Sequence, residues 1–319
     1  MAQREKTIQL TSGSFTTLVA NATTTNLPQF TVYIPEASPV FKSVYAEVSF
    51  QDMITATGGT IGEHRVGLRL GSAGYTVYTQ TDHIVNTGEN IAGVIGPIDF
   101  TSHFTSNWTG TSMTCDVQVF FDQITGTNLG MQNVGVVLYV TYEYDDTAAT
   151  QIKTVRLPLE SLTTALPTSR NTVFGNQVPQ LTGVGGILPE AGVVIRDYFF
   201  VVEGNSSAIA NTTSWTLNIG LDGSVSNEFG LTQGALASNV FLRFIWKLTT
   251  LPDTTIEHLF ELWSAGISRM DHCTVTLYVT YEYTLAGTTR TLNSIIVPIQ
   301  FASPAGATNT DNQSRIQTQ

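Results

Sequence analysis

The stretch Val136-Val137-Leu138-Tyr139-Val140-Thr141-Tyr142-Glu143-Tyr144 recurs, little altered, as Val275-Thr276-Leu277-Tyr278-Val279-Thr280-Tyr281-Glu282-Tyr283. Leu138 and Leu277 lie 139 residues apart in a chain of 319, close to half its length. Self-similarity at a fixed period marks one unit copied in tandem, and it sets the architecture before other signals are read. Upstream, Ile34-Pro35-Glu36-Ala37 is echoed 154 residues later by Leu188-Pro189-Glu190-Ala191. Downstream, Leu157-Pro158-Leu159 is echoed 140 residues later by Val297-Pro298-Ile299. The offset shrinks because the second copy has shorter connections, and loops absorb length changes at little thermodynamic cost.

The copied stretch has the period of a strand. In the second copy Cys273, Val275, Leu277, Val279, Tyr281 and Tyr283 share one face, and Thr274, Thr276, Tyr278, Thr280 and Glu282 share the other. Successive strand side chains point to opposite faces, so this reads as a half-buried strand. The first copy keeps the inward series Val134, Val136, Leu138, Val140, Tyr142, Tyr144. A second alternating run, Lys42, Val44, Ala46, Val48, Phe50, matches Arg196, Tyr198, Phe200, Val202. Further strands are expected at Thr7–Thr11, Phe30–Ile34, His64–Leu70, Tyr75–Gln80, Cys115–Phe121, Ile152–Glu160, Ser214–Leu221, Val240–Thr249 and Thr291–Gln300. His258–Trp263 reads either as a short helix or as a strand with Leu259 and Leu262 inward. No long segment has a helical period. The expectation is an all-β chain of two tandem, internally repeated antiparallel β-sandwiches of jelly-roll or Greek-key type. Residues 1–165 form the first, residues 166–302 the second, and residues 303–319 a polar C-terminal tail.

Charged residues make up only 12% of the chain, against roughly 25% in ordinary soluble domains. A neutral-polar surface carries little self-repulsion and suits faces that pack against copies of themselves. The net charge is −11, and the 14 Lys and Arg form no basic run, which argues against direct nucleic-acid binding. No apolar run follows Met1, so neither a signal peptide nor a membrane-spanning segment is expected.

Catalytic and metal constellations are missing from the sequence. Cys115 and Cys273 fall on inward faces and read as core fillers. His64, His83, His103, His258 and His272 have no zinc-type spacing. Gly183-Val184-Gly185-Gly186 lacks a phosphate-binding pattern and reads as an interdomain loop. Glu143 and Glu282 recur on outward faces as solvated or intersubunit charges, and no Asp-x-Asp loop accompanies Glu36, Glu190 or Asp145-Asp146. No cofactor is expected, and the chain reads as a non-enzyme. Outward aromatics at equivalent places, Tyr45 with Phe199 and Tyr139 with Tyr278, read as self-assembly contacts or as surfaces covered by the sister domain.

Tandem strand-rich copies, low charge and no catalytic motif together resemble viral structural proteins. Two families fit: double jelly-roll capsid proteins and the β-sandwich decoration or fibre proteins of tailed bacteriophages. The resemblance implies a virion shell or decoration protein, made in the host cytoplasm, that forms trimers or larger homo-oligomers and contacts other virion proteins. The alternative is a carbohydrate- or receptor-binding module of a phage tail or surface fibre, reading its ligand through Trp108, Trp215 or Trp263.

Overall fold

The computed structural model describes residues 3–15, 19–20, 23–54, 64–71, 76–79, 89–124, 129–145, 148–161, 176–206, 214–222, 224–232, 235–236, 241–248, 250–265 and 270–285. The expected strand Thr291–Gln300, the C-terminal tail and much of the segment joining the two halves lie outside these residues. The first half runs through β1 (Gln3–Phe15), β2 (Val19–Ala20), β3 (Thr23–Tyr33), β4 (Val40–Ile54), β5 (His64–Leu70), β6 (Thr76–Thr79), β7 (Glu89–Asp99), helix α1 (Thr101–Asn107), β8 (Ser112–Gln123) and β9 (Leu129–Asp145). The second runs through β10 (Thr150–Ser161), β11 (Asn176–Val178), β12 (Ala191–Ser206), β13 (Ser214–Leu221), β14 (Ser224–Thr232), β15 (Ala235–Leu236), β16 (Phe241–Lys247), β17 (His258–Ala265) and β18 (Met270–Thr284).

The chain is all-β, and its sheets pack as antiparallel sandwiches. In the first half the sheet orders are β1-β9-β4-β7, with β2 paired to β9 and the two-residue β15 added in parallel to β7, and β3-β8-β5-β6; in the second they are β10-β18-β12-β16 and β11-β17-β13-β14. Counting the eight main strands of each half, both orders read first-eighth-third-sixth and second-seventh-fourth-fifth. That is the strand order of a double-sheet jelly roll. Strand β10, from Thr150, hydrogen-bonds to β18 at the edge of the β10-β18-β12-β16 sheet.

Each core forms where the inward series meet. Val134, Val136, Leu138, Val140 and Tyr142 are fully buried with Val44, Ala46 and Val48 in the first. Cys273, Val275, Leu277, Val279 and Tyr281 are fully buried with Phe200 and Val202 in the second. Burying each aliphatic side chain of this kind contributes about 1.5–3 kcal/mol. Both cysteines are free thiols in these cores, and burial pushes the Cys115 thiol up to about 12. Two members of the alternating runs depart from the pattern: Lys42 and Arg196 are exposed and pair with Glu143 and Glu282. The 258–263 segment is the strand β17, with Phe260 and Leu262 buried and Leu259 exposed. A strand of period two cannot turn both 259 and 262 inward.

A polar knot recurs where the last strand of each sandwich begins its exit. In the first, the Glu36 carboxylate receives the Lys6 ammonium and the Tyr142 hydroxyl, the latter at 3.1 Å, while Lys6 Nζ lies 3.9 Å from the Tyr144 ring centroid. In the second, Glu190 receives Lys153 and the Tyr281 hydroxyl, the latter at 2.8 Å, with Lys153 Nζ 5.2 Å from the Tyr283 ring. Burial lowers the Lys6 pKa and raises those of Tyr142 and Tyr281. The first knot is the drier, since the Glu36 side chain is 0% exposed and that of Glu190 19%. Glu36→Ala strands the Lys6 ammonium and is expected to cost about 3–5 kcal/mol, the usual penalty for breaking a buried ion pair. Glu190→Ala should cost clearly less. Urea unfolding of the two variants checks the order.

Candidate assembly surface and the seam between the sandwiches

Strand β1 ends its sheet, so one side of its backbone has no neighbouring strand. An edge of this kind must find other partners for its N–H and C=O groups or remain open to association. Here the edge lies on the face of the second sandwich's β10-β18-β12-β16 sheet, and side chains from that face take its polar groups. Gln9 N–H donates to Thr154 Oγ1 at 2.8 Å, and Gln9 O accepts from Thr280 Oγ1 at 2.5 Å. Thr154 and Thr280 hydroxyls lie 2.7 Å apart. With one donor per hydroxyl, the bonds close into a ring: Gln9 N–H to Thr154, Thr154 to Thr280, Thr280 back to Gln9 O.

Two residues on, Thr11 N–H donates to Asp197 Oδ2 at 2.7 Å, and Thr11 O accepts from Lys247 Nζ at 2.8 Å. Lys247 also reaches Asp197 Oδ1 at 2.7 Å. Burial pushes the Asp197 pKa upward, against the Lys247 ammonium and two amide N–H groups that favour the carboxylate. The β10 edge is treated likewise from the opposite side, because Ile152 N–H donates to Glu36 Oε1 at 3.1 Å and Ile152 O accepts from Lys6 Nζ at 2.7 Å.

Beside this polar track is an apolar patch. Val137 from the first sandwich packs with Phe199, Val201 and Ile245 from the second, flanked by Tyr139 and Tyr278. Phe199 and Tyr278 stack with ring centroids 5.0 Å apart and planes 6° from parallel. Arg243 crosses the seam to Glu47 at 2.9 Å and pairs with Glu203 at 3.2 Å on its own sheet. Tyr139 OH donates to Glu47 Oε2 at 2.9 Å. Gly135 permits the close approach: a Cβ there would lie 2.7 Å from Ile245 Cδ1 and 3.1 Å from its Cβ.

Of the four aromatics read from the sequence, Tyr139, Phe199 and Tyr278 meet at this seam, and Phe199 is 0% exposed. Their contacts are within the chain. Tyr45 is 38% exposed on β4, with Val94 of β7 at 41%, while Tyr139 and Tyr278 are partly buried. Trp263 is buried, and Trp108 packs on Phe41 at 5.3 Å with its indole N–H given to Gly110 O. The Trp215 side chain lies outside the described residues. The Gly183–Gly186 segment belongs to the second sandwich, where Leu181 N–H and Thr182 N–H both donate to Thr254 O.

One pairing had no local signal in the sequence. His258 Nδ1 lies 2.5 Å from Asp222 Oδ2, its Nε2 lies 2.6 Å from Asp253 O, and Leu259 N–H donates to Asp222 Oδ1. With an acceptor at each ring nitrogen the imidazolium is favoured: burial lowers the His258 pKa, and the hydrogen bonds overcome it and raise it. Burial likewise opposes the Asp222 charge, and the bonds from His258 and Leu259 hold its pKa below the usual value. This clamp ties the β13–β14 turn to the loop before β17. Among the described residues no group of three or more His, Cys, Asp or Glu could hold a metal ion, and no helix is long and apolar enough to cross a membrane.

No family profile and no curated protein matches this chain. Among solved structures, a recombinant N-glycanase F (PNGase F) is 8% identical over 88% of this chain and 99% of its own, with a TM-score of 0.29. Infectious bursal disease virus, Gx strain, is 8% identical over 88% of this chain and 41% of its own, at 0.25. The tandem CBM22-1-CBM22-2 domain of Paenibacillus barcinonensis Xyn10C is 9% identical over 84% and 98%, at 0.20. At scores this low none of these likenesses defines a shared fold.

Gly135→Ala forces a methyl group onto Ile245 and is expected to cost about 1–3 kcal/mol, the range for overpacking, seen as a lower thermal midpoint. The His258 clamp has a pH signature. The raised imidazole pKa means its contribution is complete below about pH 6.5 and fades as pH rises through the folded value. The depressed Asp222 pKa means its contribution holds above about pH 4 and is lost as pH falls through the folded value. The difference in thermal midpoint between the native chain and His258→Gln should therefore peak between these limits and shrink toward pH 9. A difference flat across pH removes the charge from the clamp.

Proposed function

We propose that this chain is a non-enzymatic structural protein of a virion, either shell or outer decoration, that self-associates through its sandwich faces into trimers or larger assemblies. The observation that carries the reading is the recurrence of one jelly-roll strand order twice in a chain whose halves are locked together at a polar and apolar seam. Jelly rolls serve as viral capsid and lectin domains, among others. Two sandwiches of like outline in each chain let three chains offer six similar contact surfaces, which suits closed symmetry. The division into two units, the first ending before Thr150, belongs to the same proposal.

A carbohydrate site would need aromatic side chains free at a loop tip. Trp108 and Trp263 are instead committed to packing, so the shell reading is preferred. The chain would be made in a host cytoplasm, bind no nucleic acid directly, and meet other virion proteins in the particle. Sedimentation velocity of the purified chain at micromolar concentration should give trimers or larger species, and negative-stain images should show closed rings or lattices. A strictly monomeric chain that binds on a glycan array would move the assignment to the carbohydrate-binding class.

A further inference from the structure

The threonine pair that grips β1 has a twin with nothing across it. Thr154 and Thr280 face each other across β10 and β18; Thr7 and Thr141 face each other across β1 and β9, with hydroxyls 2.8 Å apart. Ser43 stands beside Thr141 where Asp197 stands beside Thr280, each just past a bulge in its strand. Tyr45 stands at the place of Phe199. Thr7 and Tyr45 are exposed, and among the described residues no strand edge lies over this pair.

We infer that this face of the first sandwich receives the β10 edge of a second copy of the chain, repeating the internal seam between chains. Arg156 is the counterpart of Gln9, opposite Tyr278 as Gln9 is opposite Tyr139. It lies two and four residues beyond Thr154 and Ile152, so its N–H and C=O face the same edge. Arg156 and Pro158 are both exposed. The Arg156 N–H of one copy donates to Thr7, Thr7 donates to Thr141, and Thr141 donates to the Arg156 C=O.

The differences between the seam and its twin match in pairs. Thr11 gives its N–H to Asp197; its counterpart Pro158 has no N–H, and the facing position is Ser43, so no carboxylate is left unpaired. At the register position of Lys247 stands Asp99, reversing the charge, and the neutral Gln9 is replaced by the cation Arg156. Edge of the first sandwich on face of the second, then edge of the second on face of the next first, is a head-to-tail contact, the kind that builds rings or filaments.

The inference rests on the self-assembly proposed above, and sedimentation of the full chain tests the two separately. Thr7→Val/Thr141→Val removes both hydroxyl partners and should weaken association about tenfold or more with an unchanged thermal midpoint of the dissociated chain. Thr154→Val/Thr280→Val should lower that midpoint instead. Should the first variant fold poorly, co-expressed chains carrying only Thr7→Cys or only Arg156→Cys provide the second measurement. They should form an interchain disulfide that neither forms alone. Assembly as tight as the native chain's in the first variant, or no disulfide, overturns this contact and leaves the shell reading standing. A monomeric native chain overturns both.

Discussion

Backbone polar groups at the rim of a β-sheet have to be satisfied, and in this chain that requirement joins the two halves. Four such groups on Gln9 and Thr11 are taken by threonine, aspartate and lysine side chains from the other sandwich. A hydrogen bond of this kind adds only about 0.5–1.5 kcal/mol net, whereas a buried group left unpaired costs more. The seam is therefore specific more than strong: a strand shifted by one residue would present Ile8 and Leu10, whose side chains fill the core and whose N–H and C=O groups face β9 rather than the edge. The apolar patch of Val137, Phe199, Val201 and Ile245 supplies adhesion, and the polar track sets the register.

The strands were legible because their cores impose a period of two. Every inward residue from Val134 to Tyr142, and from Cys273 to Tyr281, is buried as the alternation required. His64–Leu70 and Ser214–Leu221 keep the bounds read from the sequence. The outward face was less legible, because alternation says which side a residue is on and nothing about what covers it. Tyr139 and Phe199 look alike to a period of two, yet Phe199 is wholly enclosed by the sister sandwich. The grip of Asp197 on Thr11 and of His258 on Asp222 joins residues 186 and 36 apart in sequence, with no motif to announce it.

The two halves are alike in some places and not in others. The Lys–Glu–Tyr knots stay paired because each contains a charge that is costly to strand. Around the seam some positions differ between the halves, although the threonine pair is kept. Gly135 faces Ile245, while Cys273 and Val275 flank its counterpart Thr274, which touches Glu203 across a strand pair instead.

The two thiols lie in different interiors, Cys115 in the first core and Cys273 in the second. A disulfide needs α-carbons within about 7 Å, so neither can reach the other without both cores opening. Oxidation of the surroundings thus has no covalent staple to offer this chain, and the hold between its halves is cumulative, the sum of many weak contacts that a change of solvent can reverse.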